Sequence, residues 1–383
     1  MSNAMVDQIK SLPALLEAIF QAVDESARAT LDHELCLSLK RVFVTGCGDS
    51  HHAALGSELA FERLAGLPDE PMTALQFARY GAGYIPRSGP NTNLVIGISV
   101  SGAVSRTAEA LAMGGQAGAT TVALTATPGS RVAQAAQRVL LTVQPPFPEP
   151  EGVHVPGVRS YFASQLGLLL IAVRIGEVRG HLTSAKAGEV RAQIRALAAA
   201  AEETIQANDA AAKALAEEWK DANEFVFVGG GANFGTALFS AAKILEASGD
   251  PALGQETEEW CHLQYFARAE ATPTFFISAG QRDLSRIVES AVAARAIGRR
   301  VAAIAPKSAK ALHEQAARSL YLAEVDEMFS PLIASIPGEL FAAYRADVIG
   351  EPFFRAFTGG RSVEGGGGIS RIRSSEMWES WQE

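Results

Sequence analysis

The run Leu94-Val95-Ile96-Gly97-Ile98-Ser99-Val100-Ser101-Gly102 constrains this chain more than any other stretch. Leu94 to Ile98 is an unbroken apolar, β-rich segment of the kind buried on both faces of a sheet, and a helical pattern takes over from about Ala103 to Met113. A strand must therefore give way to a helix across Ser-Val-Ser-Gly. The first turn of a helix carries backbone N–H groups without intrahelical partners, and with two hydroxyls beside them the crossing suits a phosphate. Ser101 also suits plain helix capping, so this stretch alone leaves both roles open.

A second crossing has the same character. Arg41-Val42-Phe43-Val44 ends in Thr45-Gly46-Cys47-Gly48-Asp49-Ser50, and a helical pattern follows from His51 to Leu64. In an open parallel sheet, ligands bind beyond the carboxyl ends of the strands, so two such loops on adjacent strands can face one anion. Gly46 and Gly48 allow the backbone to approach a ligand closely and to adopt positive φ.

The pair Gly46-Cys47-Gly48-Asp49-Ser50 and Ser99-Val100-Ser101-Gly102, each closing a strand, resembles the SIS (sugar isomerase) phosphosugar-binding domain. It is similar in particular to the isomerase half of glucosamine-6-phosphate synthase, the fructosamine-6-phosphate deglycases and sugar-phosphate deaminases. The resemblance covers nearly all of the chain after residue 40, in two copies. It implies an α/β fold of two SIS-type units, each a parallel sheet flanked by helices in a doubly wound, flavodoxin-like or Rossmann-like three-layer arrangement.

Composition sets bounds on function. With 383 residues and 48% hydrophobic content the chain can build two domains with ample cores. The longest apolar stretch, Leu166 to Val173, is far short of the roughly 20 residues of a membrane span. Met1-Ser2-Asn3-Ala4 reads as a cloning remnant before a start at Met5 and is set aside. Cys36, Cys47 and Cys261 have no metal-like spacing and point to a reducing cytoplasm. The net charge of −9 disfavours nucleic acid and anionic membranes, and requires an anionic substrate to be held by local dipoles and hydroxyls.

Five segments follow in order. Residues 1–40 are an N-terminal helical segment in which 6–40 read as one or two helices, with Ile9, Leu12, Leu15, Leu16 and Ile19 on one face. Residues 41–182 form the first unit, with strands at Arg41–Val44, Met72–Gln76, Leu94–Ser99, Thr121–Thr125 and Val139–Val143 alternating with helical patterns. A stiff Pro145–Pro150 loop precedes a largely buried helix from Ser160 to Ile175. Residues 183–222, rich in Ala, Glu and Lys or Arg, read as two antiparallel or bent helices. In residues 223–350 the chain begins again: Glu224–Val228 and Gly229-Gly230-Gly231-Ala232-Asn233 echo Val42–Ser50, followed by a helix from Phe234 to Ala247 and strands at Thr274–Ser278, Arg300–Ala305 and Leu320–Ala323. Here Ile277-Ser278-Ala279-Gly280-Gln281 replaces Ser-Val-Ser-Gly, so one phosphate site per chain is expected. Residues 351–383 form a tail that closes the active site.

Moving a carbonyl between adjacent sugar carbons, or eliminating an amine there, requires a base for a carbon-bound proton and donors for the developing enediolate. By resemblance, Glu246 falls where the synthase family keeps its general base, and Glu259-Trp260-Cys261-His262 on a Glu-x-x-His element whose histidine assists ring opening, often across a dimer interface. Gly48, Asp49, Ser50, Ser99, Val100, Ser101, Gly102 and Val104 fall on the phosphate loops, and Arg159 and Ser160 on a substrate loop. Read simply as residues, Glu246 is a solvated carboxylate, Glu259 and His262 a surface pair at i, i+3, and Arg159 a surface arginine on a capped helix.

Three departures from the family stand out. Val104 occupies the place of a phosphate-loop threonine, and Leu263-Gln264 replaces a Gly-Pro. The family's C-terminal imine-forming lysine has no counterpart beyond Lys310; its positional match is Arg371, whose guanidinium stays protonated and acts at most as an electrostatic clamp. The reading is a cytoplasmic, homodimeric phosphosugar isomerase, deaminase or deglycase. It works through an enediolate, with no cofactor, no metal, and no nucleic-acid or membrane partner. The alternative is a non-catalytic phosphosugar sensor. A dinucleotide-binding protein is disfavoured, because Gly46-Cys47-Gly48-Asp49-Ser50-His51 lacks the third glycine of that pattern.

Overall fold

The computed structural model describes residues 3–86, 88–268, 270–362 and 364–365. Three helices lead in: α1 (Ala4–Lys10), α2 (Leu12–Thr30) and α3 (His33–Ser38). The leading residues set aside above take part, since the Asn3 side chain caps α1 through the N–H groups of Met5 and Val6 and Met5 is wholly buried.

The first sheet contains β1 (Arg41–Gly46), β2 (Asp69–Thr73), β3 (Asn93–Ile98), β4 (Thr120–Thr125) and β5 (Arg138–Leu141). Its helices are α4 (Asp49–Ala60), a single turn α5 (Ala74–Gln76), α6 (Ser105–Gln116) and α7 (Arg131–Ala135). The order is β2-β1-β3-β4-β5 and every pair is parallel. The connection reverses direction between β1 and β3, which places a crevice at their carboxyl ends. β3 and β4 are buried at every residue, as their near-continuous apolar sequence requires when helices cover both faces.

Two long helices follow, α8 (Arg159–Val178) and α9 (Ser184–Glu218). α9 is one helix of 35 residues where two were expected, because residues 184–218 contain no proline and a single glycine to break the pattern. By length and apolarity α8 passes for a membrane span, but 89% of its apolar window is buried inside the protein.

The second sheet contains β6 (Phe225–Gly229), β7 (Ala252–Glu256), β8 (Pro273–Ile277), β9 (Arg300–Pro306) and β10 (Arg318–Leu322). With it go α10 (Ala232–Ala247), α11 (Thr257–His262), α12 (Leu284–Ala296), α13 (Lys310–His313) and α14 (Pro331–Ile349). Its order, β10-β9-β8-β6-β7, is the same parallel topology as the first sheet. Phe275 joins Phe227 and Phe341 in its core, with ring centroids 4.6 and 4.9 Å away.

The chain divides into two compact units. Leu16–Pro145 and Ser160–Arg195 belong with β1–β5, whereas the residues up to Leu15, Pro146–Arg159 and Ala196–Ala356 belong with β6–β10. Other sequence expectations need correction as well. Three helices precede β1 where one or two were expected, the strand expected at Met72–Gln76 is shifted, with β2 covering Asp69–Thr73 and Ala74–Gln76 helical, and β7 was not foreseen at all.

Candidate functional site

The carboxyl ends of β1 and β3 lie side by side, with Gly46 paired to Ile98. This pairing sets the two phosphate loops at the ends of neighbouring strands. Gly48 turns the chain into α4 with φ 55° and ψ −126°, a conformation open to glycine and strained for other residues. Asp49 and Ser50 open that helix, half-buried. Asp49 lies 3.9 Å from His52, and of its groups the backbone N–H is the one suited to an anion. His51 and His52 hold their rings 6.2 Å apart, and burial lowers the His51 pKa from its usual value.

The Ser99–Val104 loop follows β3. Helix α6 begins at Ser105, later than the expected Ala103, and its cap residue Val104 makes no side-chain capping bond. Ser101 is therefore not the helix cap: it is exposed, and its Oγ accepts from the N–H of Ala103 at 3.4 Å. Ser99 is 2% exposed, and its Oγ has no hydrogen-bond partner among the described residues. The Thr45 hydroxyl at the end of β1 is likewise buried without a partner there. Buried hydroxyls of this kind carry a desolvation cost that a ligand oxygen would relieve.

A third wall escaped the sequence reading. The Val100 carbonyl accepts from Thr125 Oγ1 at 3.2 Å, Thr127 Oγ1 at 3.1 Å and the Ala126 N–H at 3.1 Å. Gly102 has φ 64°, and a Cβ placed there would stand 2.0 Å from Ser130 Oγ. Arg131, which follows Ser130, donates to Ser105 Oγ at 2.6 Å. The hydroxyl-rich Thr125-Ala126-Thr127-Pro128-Gly129-Ser130 turn after a predicted strand is the signal that could have pointed here.

The other candidates lie elsewhere. Arg159 is not a surface residue: it is 8% exposed, donates to Ser11 Oγ at 2.7 Å and stacks on the Phe147 ring at 4.6 Å, all within the β6–β10 unit. Ser160 falls in the β1–β5 unit, where its carbonyl accepts from Ser164 Oγ. Glu246 sits in the last turn of α10, half-buried, and accepts from the wholly buried Lys243 ammonium. This pairing corrects the reading of a freely solvated carboxylate. Glu259 and His262 are both exposed on α11, but the histidine pairs with Glu258 at 3.1 Å rather than with Glu259. Arg371 lies outside the described residues.

Topology also separates Glu246 from His262. α10 runs antiparallel to the strands, so Glu246 is at the amino-end edge of the second sheet while α11 starts where β7 finishes. The five residues of β7 hold the two levels about 16 Å apart, at roughly 3.3 Å per residue. Among the described residues no group of three or more His, Cys, Asp or Glu side chains is arranged to hold a metal.

Comparison with known proteins agrees with this architecture. Residues 37–173 match the SIS domain family. A glutamine–fructose-6-phosphate aminotransferase (isomerizing) of Gloeobacter violaceus is 26% identical over 319 residues, 83% of this chain and 51% of that relative. The chain thus spans about half the length of the curated relatives it matches. Among solved structures, the C-terminal domain of glucosamine-fructose-6-phosphate aminotransferase from Francisella tularensis has a TM-score of 0.77 at 18% identity, covering 91% of this chain and 97% of that one. Glucosamine-6-phosphate deaminase from Thermotoga maritima has a TM-score of 0.63 at 19% identity, covering 91% and 96%.

Proposed function

We propose that this chain, whose residues 37–173 are a SIS domain and whose two sheets share one topology, binds a ketose or amino-sugar phosphate and converts it through an enediolate. The observation that carries this reading is the Ser99 hydroxyl, buried and unpartnered among the described residues in the matched domain at the switch point of the sheet. Gly48, Ser50, Ser99 and Ser101 hold the phosphate in this reading. Glu246 takes the proton from the carbon beside the carbonyl, and the Lys243 ammonium orients that carboxylate. His262 assists ring opening.

Glu246 and His262 stand at opposite ends of β7, so a reading that uses both at one substrate calls on His262 from a second copy of the chain. The working form is therefore a homodimer. Its reaction is isomerisation, deamination or deglycation, in a reducing cytoplasm.

Proton NMR in deuterium oxide tests this with fructose 6-phosphate, glucosamine 6-phosphate and a fructosamine 6-phosphate. The expected result is loss of a C1 or C2 proton signal with one member of the panel, abolished in Glu246→Gln while affinity is retained. Binding without exchange across the panel would convert the reading to that of a sensor, and absence of binding would overturn it.

A further inference from the structure

The carboxyl ends of the second sheet hold a polar cluster that takes no part in the phosphosugar binding proposed above. β6 runs into Gly230-Gly231 at the same reversal of connection that β1 makes in the first sheet. Thr257 follows β7, Asp283 lies on the loop after β8, and Glu327 opens a short turn after β10. These three side chains meet over the two glycines. From the point where a Cβ on Gly230 would stand, Thr257 Oγ1 is 3.2 Å away and Asp283 Oδ2 3.7 Å, and Glu327 Oε1 is 3.8 Å from the corresponding point on Gly231. Gly231 is exposed, so solvent reaches the turn.

Two of these oxygens lack what buried polar atoms normally have. Thr257 is 3% exposed, and its hydroxyl has no hydrogen-bond partner among the described residues. Asp283 Oδ2 is buried in the same condition, while Oδ1 accepts from Ser278 Oγ at 2.7 Å. The charges that act most strongly on Asp283 are the Glu327 and Glu256 carboxylates. Arg282 stands to one side, 66% exposed and 3.7 Å from Glu327. The N-terminus of α10 supplies about half a positive charge, which leaves the carboxylates in excess.

A ligand that carries positive charge and donates hydrogen bonds answers both deficits. The donor set does not suit a metal ion, since among the described residues no three His, Cys, Asp or Glu side chains are arranged to hold one. A primary ammonium brings three donors, enough for a hydroxyl and two carboxylates on different elements.

We infer that the carboxyl end of the second sheet is a binding site for a small primary ammonium compound, held by Asp283 Oδ2, Thr257 Oγ1 and Glu327. The site lies within the β6–β10 unit and is independent of the phosphosugar reading.

Calorimetric titration of the full chain with methylammonium chloride at pH 7.5 tests it. A background of tetramethylammonium chloride holds the ionic strength constant and carries the same charge without an N–H donor. Saturable binding of one methylammonium per chain is expected. Asp283→Asn should weaken it about 10- to 100-fold, and Thr257→Val, which keeps the shape of the side chain, about 3- to 10-fold. Ser99→Ala, in the other sheet, should leave the affinity within about twofold.

Absence of saturable methylammonium binding by the wild type would overturn the inference whatever the phosphosugars do, and failure of the phosphosugars to bind would leave it standing. Equal affinity for sodium ion, titrated as the chloride, would overturn it too, by showing a cation site without preference for N–H donors. Unchanged affinity in Asp283→Asn or in Thr257→Val has the same consequence. Should Asp283→Asn fail to fold, Thr257→Val and Glu327→Gln decide: a loss of about threefold or more in both sustains the inference, and a smaller loss in either overturns it.

Discussion

The loops that close β3 and β8 occupy the same place in two sheets of the same topology, yet they treat their polar groups in opposite ways. The backbones match: Ser99 donates to the Leu124 carbonyl and Ser278 to the Ile304 carbonyl, both at 3.0 Å. Gly48 and Gly231, which open the first helices of the two units, have φ/ψ of 55°/−126° and 53°/−129°. The side chains differ. Ser99 Oγ is buried without a partner among the described residues, while Ser278 Oγ donates to Asp283 at 2.7 Å and accepts from the Gly280 N–H. Ser50 is half-buried, whereas its counterpart Asn233 is 1% exposed and bonded to Ser330 and Thr236. Among the described residues one loop leaves its serine hydroxyl without a partner, and the other places a carboxylate of its own beside its serine. A bound anion is compatible with the first and repelled by the second.

The widest expected break in that contrast comes from removing the donors. Charge-assisted hydrogen bonds contribute about 1.5 to 3 kcal/mol each, so replacing Ser99 and Ser101 together by alanine should weaken any phosphosugar by roughly 100- to 10,000-fold. Stability should hold or rise, since Ser99→Ala deletes a buried hydroxyl that has no partner among the described residues. The paired measurement is a titration with the best ligand of the panel alongside urea unfolding. Retained affinity would mean that the Ser99 loop is no more a ligand site than the Ser278 loop.

The next break acts on the shape of the loop. Gly102→Ala adds a methyl group at φ 64°, where it would meet Ser130 Oγ at 2.0 Å. Strain in the left-handed region costs on the order of 1 kcal/mol and overpacking about 1 to 3 more, so a loss of roughly 2 to 4 kcal/mol is expected. Relief should come from Ser130→Gly in the same chain, measured as a double-mutant cycle in denaturant. Additive effects would show that the Gly102–Ser130 contact does not shape the loop.

The first sheet is easily read because Val42–Val44 and Leu94–Ile98 are dense in β-branched and apolar residues. β7 escapes because Ala252-Leu253-Gly254-Gln255-Glu256 has no β-branched residue. It is an edge strand held by close approach, since a Cβ on Gly254 would stand 2.5 Å from the Leu238 Cα of α10. β2 is misplaced for a related reason: Asp69-Glu70-Pro71 is polar and carries a proline that only an edge tolerates. The candidate site follows the same rule. The ends of β1 and β3 carry their own glycines and hydroxyls in contiguous motifs. The wall made by Thr125, Thr127, Ser130 and Arg131 becomes visible only once β4 is known to pair with β3. Side chains that act beside their own motif are legible in sequence, and those that act across a strand pairing are not.

The smallest expected effect sharpens the comparison from the other side. Burial raises the Asp283 pKa to about 6, and the nearby Glu327 and Glu256 carboxylates push in the same direction against the Ser278 hydrogen bond. Arg282 offsets part of this by approaching Glu327 at 3.7 Å. In the unfolded chain the group titrates near 3.8. Because the folded value is the higher one, the stabilising share of this residue is fully present below pH 4 and is lost as pH rises through 6. At pH 7.5 the ionised Asp283 costs at most about 3 kcal/mol, since each tenfold change in proton affinity corresponds to roughly 1.4 kcal/mol. Asp283→Asn keeps an acceptor for Ser278 and removes the charge. Urea unfolding should find the variant about 1 to 3 kcal/mol more stable than wild type at pH 7.5 and no more stable at pH 4. A variant that is less stable at pH 7.5 would mean that the carboxylate is the favoured partner of this loop, and that the second unit is built around an anion of its own.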